Sequence, residues 1–502
     1  MAEKRDDTAQ LPRLTLLERA MIDRVVDEAY EILAQIGVMV ESEEALALLG
    51  DGGARVDGPA RRAFIPRDPI ERALASAPAS FDLHDAPGQR SATVGGDGVL
   101  FNPGSAALNV LDYGGELRRA RSSDYLRLCR LVEQLPHLEL SSTALVCADA
   151  PTELADAYRL YLALHACRKP IVTGLFRKEG FGVMRDLLAA ARGGEQQLRE
   201  RPLAIFDACS SPPLRWSELT ANRVICCARA GIPSNIIAMP LAGATGPVSL
   251  LGSITQHTAE NLVGVLLAQL ARSGAPVIFG GAPAAFDMRH GTTPMAAAES
   301  LMLDLGYCEV GHALGLPVHS YLALSDAKRI DMQAGYETGM GVLLAVLGRV
   351  NLVSGPGILD YITCQSLEKL VIDHELCATA KRFLEGIRPL SPTLARDALA
   401  EAVAGDGHFL SHPTTLRLFR RELRLPGAVV DRTPTVPPGH DGPAAAGELE
   451  RAHAVVEELL ARQPYAPPPE VARDLDGIIA SAARACGATL PRLALGETGK
   501  ES

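Results

Sequence analysis

The runs PSNIIAMP (233–240) and APVIFGG (275–281), separated by one long helix-patterned segment, decide how this chain folds. Each is apolar almost throughout. A strand wetted on one face alternates polar and apolar side chains, whereas a parallel strand covered by helices on both faces does not. The same signature recurs in LELSSTALVC (138–147), KPIVTGLF (169–176), LAIFDAC (203–209), LPVHSYLAL (316–324) and VNLVSG (350–355). These runs follow one another at intervals of roughly 30 to 40 residues, room for one strand, one helix and two loops. Seven such units predict a (β/α)8 TIM barrel, an α/β fold, with the eighth strand near His408–Leu410. A doubly wound open sheet is the alternative, but no G-x-G-x-x-G follows any of the runs.

Working outward, residues 14–50 read as helices. Ile22, Val25, Val26, Ala29, Ile32 and Leu33 form one stripe at helical spacing, with Leu16 ahead of it and Gly37 ending it. A short helix is expected near Asp68–Ala77, and strands joined by Gly turns over Gly98–Asp112 and Gly114–Arg118. Beyond residue 425 the composition changes: nine prolines fall between Pro426 and Pro469, around helical stretches near Ala446–Arg462 and Glu470–Cys486. The expected organisation is an N-terminal helical region (1–90), a barrel domain (91–425), and a Pro-rich linker with a helical tail (426–502) that wraps the barrel or a partner subunit.

Composition removes several classes of function. The 502 residues are 47% hydrophobic and 22% charged, enough for a large core. The net charge of −11 argues against a nucleic-acid binder with a dominant basic face. Arg272 and Arg349 interrupt the most apolar stretches too early for a membrane span, and the opening MAEKRDDT lacks the apolar run of a signal peptide. The ten cysteines form no C-x-x-C pair and no zinc spacing, so the expectation is a cytoplasmic protein with reduced thiols and no intrinsic metal. Aromatics are only 4% of the chain, with Trp216 the sole tryptophan.

In a barrel, the loops after the strands build the site. Here they are Asp207–Leu214, the small-residue loop Ala242–Gly252, Phe286–Gly291 and Ser325–Asp331. The 242–252 loop suits either a phosphate at a helix start or the close approach of a planar cofactor or another backbone. Glu260, one turn into the following helix, reads as a partly buried carboxylate. Ser325 and Asp326 are equally readable as a helix N-cap pair. Asp287 and Arg289 read first as an ion pair, Lys328 as a solvated lysine with Schiff-base chemistry a lesser reading, and His319 as a core histidine.

Taken together, LAGATGPVSLLGSITQHTAENLVGVLLAQL (241–270), GAPVIFGGAPAAFDMRHG (274–291), SDAKRIDMQAGYE (325–337) and NLVSGPGILDY (351–361) resemble the trimethylamine methyltransferase family of corrinoid-dependent methyltransferases. The resemblance runs from about residue 14 to residue 425 and includes DYGGELRRARSSD (112–124). It implies a barrel enzyme that moves a methyl group from a methylated amine to the Co(I) of a corrinoid held on a separate cognate protein. The trimethylamine enzymes of that family carry pyrrolysine; this chain has only the twenty standard residues, so it resembles the glycine betaine type. One departure is TTPMAAAES (292–300), in place of a Gly-Pro-rich approach to Glu299.

A quaternary ammonium methyl has a neutral amine as its leaving group, so its transfer needs orientation and desolvation rather than an acid or base. Holding the cation calls for rings or carboxylates. The expected site therefore has Phe279, Tyr321 and Tyr336 as walls, Asp326 and Glu260 as charge partners, and Gln333 as polar anchor. Arg289 and Glu299 are expected to contact substrate, and Gly243, Ala244, Thr245 and Gly246 to border the corrinoid. The protein is expected to be a homo-oligomer. The alternatives are a lyase or aldolase using Lys328, and a non-catalytic binder of amines or of a corrinoid protein.

Overall fold

The computed structural model describes residues 12–104, 106–390, 393–435, 446–491 and 493. Eight parallel strands form one sheet around a barrel: β1 (Leu100–Asn102), β2 (Ser141–Ser142), β3 (Ile171–Gly174), β4 (Ala204–Cys209), β5 (Ser234–Ala238), β6 (Val277–Gly281), β7 (Val318–Ser320) and β8 (Leu352–Ser354). The pairing closes through β8 and β1, with Ser354 opposite Asn102. The Leu140 N–H donates to the Phe101 carbonyl at 3.3 Å, and Ala107 bridges to Leu145, which brings β1 beside β2. A helix follows each strand: α1 (Ser122–Glu133), α2 (Ala155–Ala166), α3 (Gly180–Arg192), α4 (Glu218–Ala230), α5 (Leu250–Ala271), α6 (Ala298–Ala313), α7 (Met332–Leu347) and α8 (Leu367–Leu384).

All seven runs read as buried strands are barrel strands. The eighth is not near His408–Leu410, which lies in a turn between two helices outside the barrel. It is Leu100–Asn102, inside a segment expected to be a strand but not assigned to the barrel. The reason is an insertion: a hairpin, Asn109–Leu111 with Leu117–Arg119, sits between β1 and α1 and hides the strand–helix spacing.

The lower end of the barrel is sealed. An antiparallel hairpin, Ser80–His84 with Arg90–Gly95, presses Leu83, Ala92 and Val94 onto Leu100, Leu140, Val172, Ile205, Ile278 and Leu352. Those six side chains therefore face the barrel axis, which fixes the parity of their strands.

The N-terminal helices Arg19–Gln35, Glu43–Asp51 and Arg67–Ser76 pack on α5. Enclosed on all sides, α5 is buried from Ser253 to Gln269, which is why it is apolar around most of its circumference. Strand Val38–Val40 pairs antiparallel with Arg62–Phe64 and parallel with Arg215–Trp216, tying this region to the loop after β4. Trp216 is fully buried against α5; a Cβ on Gly264 would lie 2.6 Å from its Cη2. The tail helix Glu448–Leu460 packs on α8 and α1, and Pro469–Ala485 packs on α3 and α2, both on the chain's own barrel. Part of the Pro-rich stretch, 436–445, lies outside the described residues. Among the described residues no helix is long and apolar enough to cross a membrane.

Candidate active site

Two residues above the sealed layer, period-2 alternation turns Asn102, Asp207, Gly280 and Ser354 toward the axis. Asn235 and His319 join them: a Cβ on Gly280 would lie 2.3 Å from Asn235 Oδ1 and 3.0 Å from His319 Nδ1. Glycine is thus the only residue that leaves those two polar atoms facing one another. The five polar side chains are at most 8% exposed and form a broken ring. Asn235 Nδ2 donates to Asp207 Oδ1 at 2.9 Å, Asn102 Nδ2 donates to Ser354 Oγ at 2.9 Å, and His319 Nε2 lies 3.0 Å from the same hydroxyl. The break falls at Gly280.

Burial sets the protonation of the ring. It pushes His319 down to about 3, so the imidazole is neutral. It pushes Asp207 up to about 7, against the opposing pull of the Asn235 amide and the Arg223 charge. Because Ser354 Oγ already accepts from Asn102, its own proton is best donated to His319 Nε2, which leaves Nδ1–H as a donor. His319 Nδ1, Asn235 Oδ1 and Asn102 Oδ1 have no hydrogen-bond partner among the described residues. Buried polar atoms left so cost on the order of 1–3 kcal/mol each, and here three of them share one layer of the barrel, which makes the ring a candidate site.

Above the ring the lining turns apolar. Ile237, Ala282, Met295, Tyr321, Leu324 and Ile358 cluster at the mouth. The Tyr321 ring stands edge-on to His319, with centroids 5.0 Å apart at 89°. Beside it, three consecutive residues, Asp360, Tyr361 and Ile362, hold left-handed backbone (φ 51°, 53° and 68°). Each costs roughly 1–2 kcal/mol. Lys328 spans this turn, with Nζ 3.1 Å from Asp360 Oδ1 and 3.6 Å above the Tyr361 ring.

The structure sorts the residues proposed from sequence. Tyr321 is at the mouth, facing the axis with His319. Phe279 is not: it points outward from β6 into the helical layer, beside Tyr307, His257 and the Gly311 turn of α6, because its neighbours Ile278 and Gly280 take the inward positions. Glu260 is fully buried in the middle of α5, not one turn in. It accepts from Ser210 Oγ at 2.6 Å, Leu214 N at 3.0 Å and Gln256 Nε2 at 3.0 Å, and so pins the loop after β4. Burial raises its pKa, and these three donors oppose the rise. Asp326 accepts from the N–H groups of Met295 (3.1 Å) and Ala296 (2.9 Å), stapling the loop after β7 to the loop after β6; burial pushes it up to about 6. It is not an N-cap, that role falling to Asp331, which accepts from Gln333 N and Ala334 N.

Gln333 Nε2 donates to Glu337 Oε1 at 2.9 Å, while Glu337 Oε2 accepts from Ser325 Oγ at 2.6 Å. Tyr336 is 61% exposed on α7, and Glu299 is exposed at the start of α6. Arg289 is exposed and paired with Asp287 at 2.8 Å, so the ion-pair reading holds. Gly243, Ala244, Thr245 and Gly246 turn tightly beside the mouth; Gly243 adopts φ +92°, and a Cβ there would lie 3.1 Å from Met288 Cε. Lys328 has its pKa raised, since burial is outweighed by Tyr361 and Asp360, the reverse of what a Schiff-base lysine needs. Among the described residues no group of His, Cys, Asp or Glu is arranged to hold a metal ion.

Sequence reading missed Asn102, Asn235 and Ser354 and left Asp207 as a loop residue. The signal was there: each breaks an otherwise apolar strand at an inward position.

Fold and site together define a barrel protein with a buried polar ring beneath an apolar mouth. The profile of the trimethylamine methyltransferase (MTTB) family matches residues 2–485, and the chain belongs to that family. A glycine betaine methyltransferase of Desulfitobacterium hafniense (strain Y51) is 30% identical over 485 residues, spanning 95% of this chain and 99% of that protein. The trimethylamine methyltransferase MttB of D. hafniense (strain DSM 10664 / DCB-2) is 29% identical over 404 residues, 80% of this chain and 81% of that one. Among solved structures, the monomethylamine methyltransferase MtmB of Methanosarcina barkeri superposes with a TM-score of 0.50, covering 95% of this chain and 89% of that one at 11% identity, a likeness of fold.

Proposed function

We propose that the protein transfers a methyl group from a quaternary amine of the betaine class to the Co(I) corrinoid of a separate partner protein. The observation that carries this reading is the layered barrel: a polar ring under a mouth that holds an inward ring, Tyr321, in a chain matched along 95% of its length by a glycine betaine methyltransferase. A corrinoid on another protein arrives only from outside, so the methyl group must face the mouth and the substrate's polar tail must point down the barrel. Tyr321 and the apolar mouth then face the trimethylammonium, a cation–π contact worth on the order of 0.5–2 kcal/mol. The tail meets the His319 Nδ1–H and the Asp207–Asn235 pair. Protonated Asp207 donates rather than accepts, turning the pair toward an anionic carboxylate, so tail binding strengthens as pH falls through about 7.

The rim fits a large planar group: from Gly243 to Gly246 no side chain exceeds threonine, and Ala244 and Val248 are exposed. When bound, the corrinoid supplies the Co(I) nucleophile. On the substrate side, the N–CH3 bond breaks with its electron pair staying on nitrogen, and a neutral tertiary amine leaves. No proton moves, so neither Asp326 nor Glu260 has to act as an acid or base. Both instead hold the loops that shape the mouth.

The test mixes the protein with cob(I)alamin and, separately, glycine betaine, proline betaine, carnitine or trimethylamine, following loss of the Co(I) absorbance. Consumption with a betaine and none with trimethylamine is the expected result. No consumption with any N-methyl compound overturns the proposal.

A further inference from the structure

Behind the broken ring, between β6 and β7 and the helices that cover them, lies a second set of polar side chains. His257 and Asn261 on α5 and Asp304 and Tyr307 on α6 are all fully buried. They reach the backbone of the two strands where the ring breaks. His257 Nε2 lies 3.1 Å from the Gly280 carbonyl oxygen, and Asn261 Nδ2 donates to the same oxygen at 3.0 Å. The Tyr307 hydroxyl donates to the His319 carbonyl at 2.7 Å and to the Gly281 carbonyl at 3.0 Å, one proton shared between two acceptors. Its ring stacks on His257, with centroids 4.0 Å apart at 25°.

Burial fixes the protonation of this outer cluster. It pushes His257 down to about 3, so the imidazole is neutral, and holds Tyr307 well above the usual phenol range, so the hydroxyl keeps its proton. His257 Nε2 then carries the proton that meets Gly280, while Nδ1 has no partner among the described residues. Asp304, one turn before Tyr307, is held neutral by burial and brings no charge to the cluster.

The two consecutive glycines serve the two sides of the wall. A Cβ on Gly280 would point inward, at Asn235 Oδ1 and His319 Nδ1, whereas a Cβ on Gly281 would lie 2.2 Å from His257 Nε2. Any side chain at Gly281 would push the imidazole off the Gly280 carbonyl. Three neighbouring carbonyls thus take side-chain donors from α5 and α6, and the position of the His319 backbone is set from the helical layer. Hydrogen bonds weaken steeply with misalignment, whereas a cation over a ring tolerates small displacements. The outer cluster therefore bears on the tail of a substrate more than on its ammonium.

We propose that Tyr307, with His257 and Asn261 holding Gly280, is a positioning residue: it aims His319 Nδ1–H at the substrate's tail and so sets the preference for quaternary amines that carry a carboxylate over those that do not. The inference rests on the proposed placement of the tail against His319.

Calorimetric titration of the full chain with glycine betaine, and with tetramethylammonium, which has the cation and no tail, tests it. Tyr307→Phe keeps the ring stacked on His257 and removes only the hydroxyl. The expected result is a Kd for glycine betaine raised about tenfold, with that for tetramethylammonium within about twofold of wild type. In a His319→Ala background the same substitution changes the glycine betaine Kd by less than about twofold, because the two act on one contact. This cycle decides alone where tetramethylammonium binds too weakly to measure. Asn261→Ala, which removes one of two donors to Gly280, gives a selective loss of about threefold and carries the comparison if Tyr307→Phe does not fold. Equal losses for both ligands, no loss for either, or effects that add to those of His319→Ala overturn this inference and leave the proposed function standing. A wild type that binds neither ligand overturns both.

Discussion

The lower and upper halves of the barrel are built from the same strands and differ by two residues along each. Leu100, Ile205, Ile278 and Leu352 meet a hairpin plug in one apolar cluster; Asn102, Asp207, Gly280 and Ser354, one inward position higher, share a polar layer with Asn235 and His319, in which Asn102 Oδ1, Asn235 Oδ1 and His319 Nδ1 have no partner among the described residues. Apolar packing offsets chain entropy, whereas an unsatisfied buried polar ring spends stability. The contrast separates what holds the barrel shut from the candidate site.

The largest effects should distinguish the two halves. If the substrate lies as proposed, His319→Ala removes the donor to its tail and the edge that supports Tyr321, and lowers kcat/KM for a betaine about 100-fold while leaving circular dichroism unchanged. Leu352→Ala, in the sealed layer, does the opposite: it costs about 2–5 kcal/mol of stability and leaves kcat/KM of the folded fraction within about threefold. If both variants lose stability and activity in proportion, the halves are not separate.

Asp207 sharpens the contrast through pH. Folding raises this carboxyl from 3.8 to about 7, so between these values the unfolded chain has lost a proton that the folded chain keeps. Stability contributed by this site is greatest below about 4, falls as pH rises through the window, and is flat above 7. Asp207→Asn cannot ionise, so at pH 8 it should be more stable than wild type by about 4 kcal/mol, with little difference near pH 4. Denaturant melts at the two pH values measure this. Equal gaps at both would show that Asp207 is not a desolvated carboxyl. A smaller effect follows at the mouth. Tyr321→Leu weakens trimethylammonium binding by roughly 3- to 30-fold, whereas Tyr321→Phe, which keeps the ring, stays near wild type by calorimetry.

Sequence made the seven strands legible because burial on both faces is a property of each run by itself. The eighth strand escaped because it is three residues long and an inserted hairpin separates it from its helix. The same locality explains the site. Tyr321, which the structure puts at the mouth, stood out because a ring at the end of a strand is conspicuous in a chain with few rings. Phe279 was misplaced because sequence shows alternation without showing which parity faces in; the plug on Ile278 settles that. Glu260 and Asp326 look like active-site acids in sequence, since a carboxylate on an apolar element invites that reading. Only the positions of Ser210, Leu214, Met295 and Ala296 show that their oxygens hold loops.

The smallest effect is expected from Lys328→Met, and it carries the sharpest consequence. Lys328 lies on the loop after β7, beside the Asp360–Ile362 turn, and a barrel with a lysine there has an obvious rival chemistry. Its surroundings oppose that chemistry. Nζ donates to the Asp326 carbonyl at 2.7 Å, pairs with Asp360 and covers the Tyr361 ring, so the ammonium is held charged while an imine-forming amine must be neutral. Its role is to clamp the left-handed Asp360–Ile362 turn, and losing one half-exposed ion pair costs about 1 kcal/mol or less. Turnover of a betaine should therefore stay within about threefold of wild type, and borohydride with carbonyl compounds should leave no added mass on Lys328. If Lys328→Met instead abolishes turnover and trapping labels Lys328, the chemistry belongs to the loop after β7, and the polar ring beneath Tyr321 is not where the reaction is aimed.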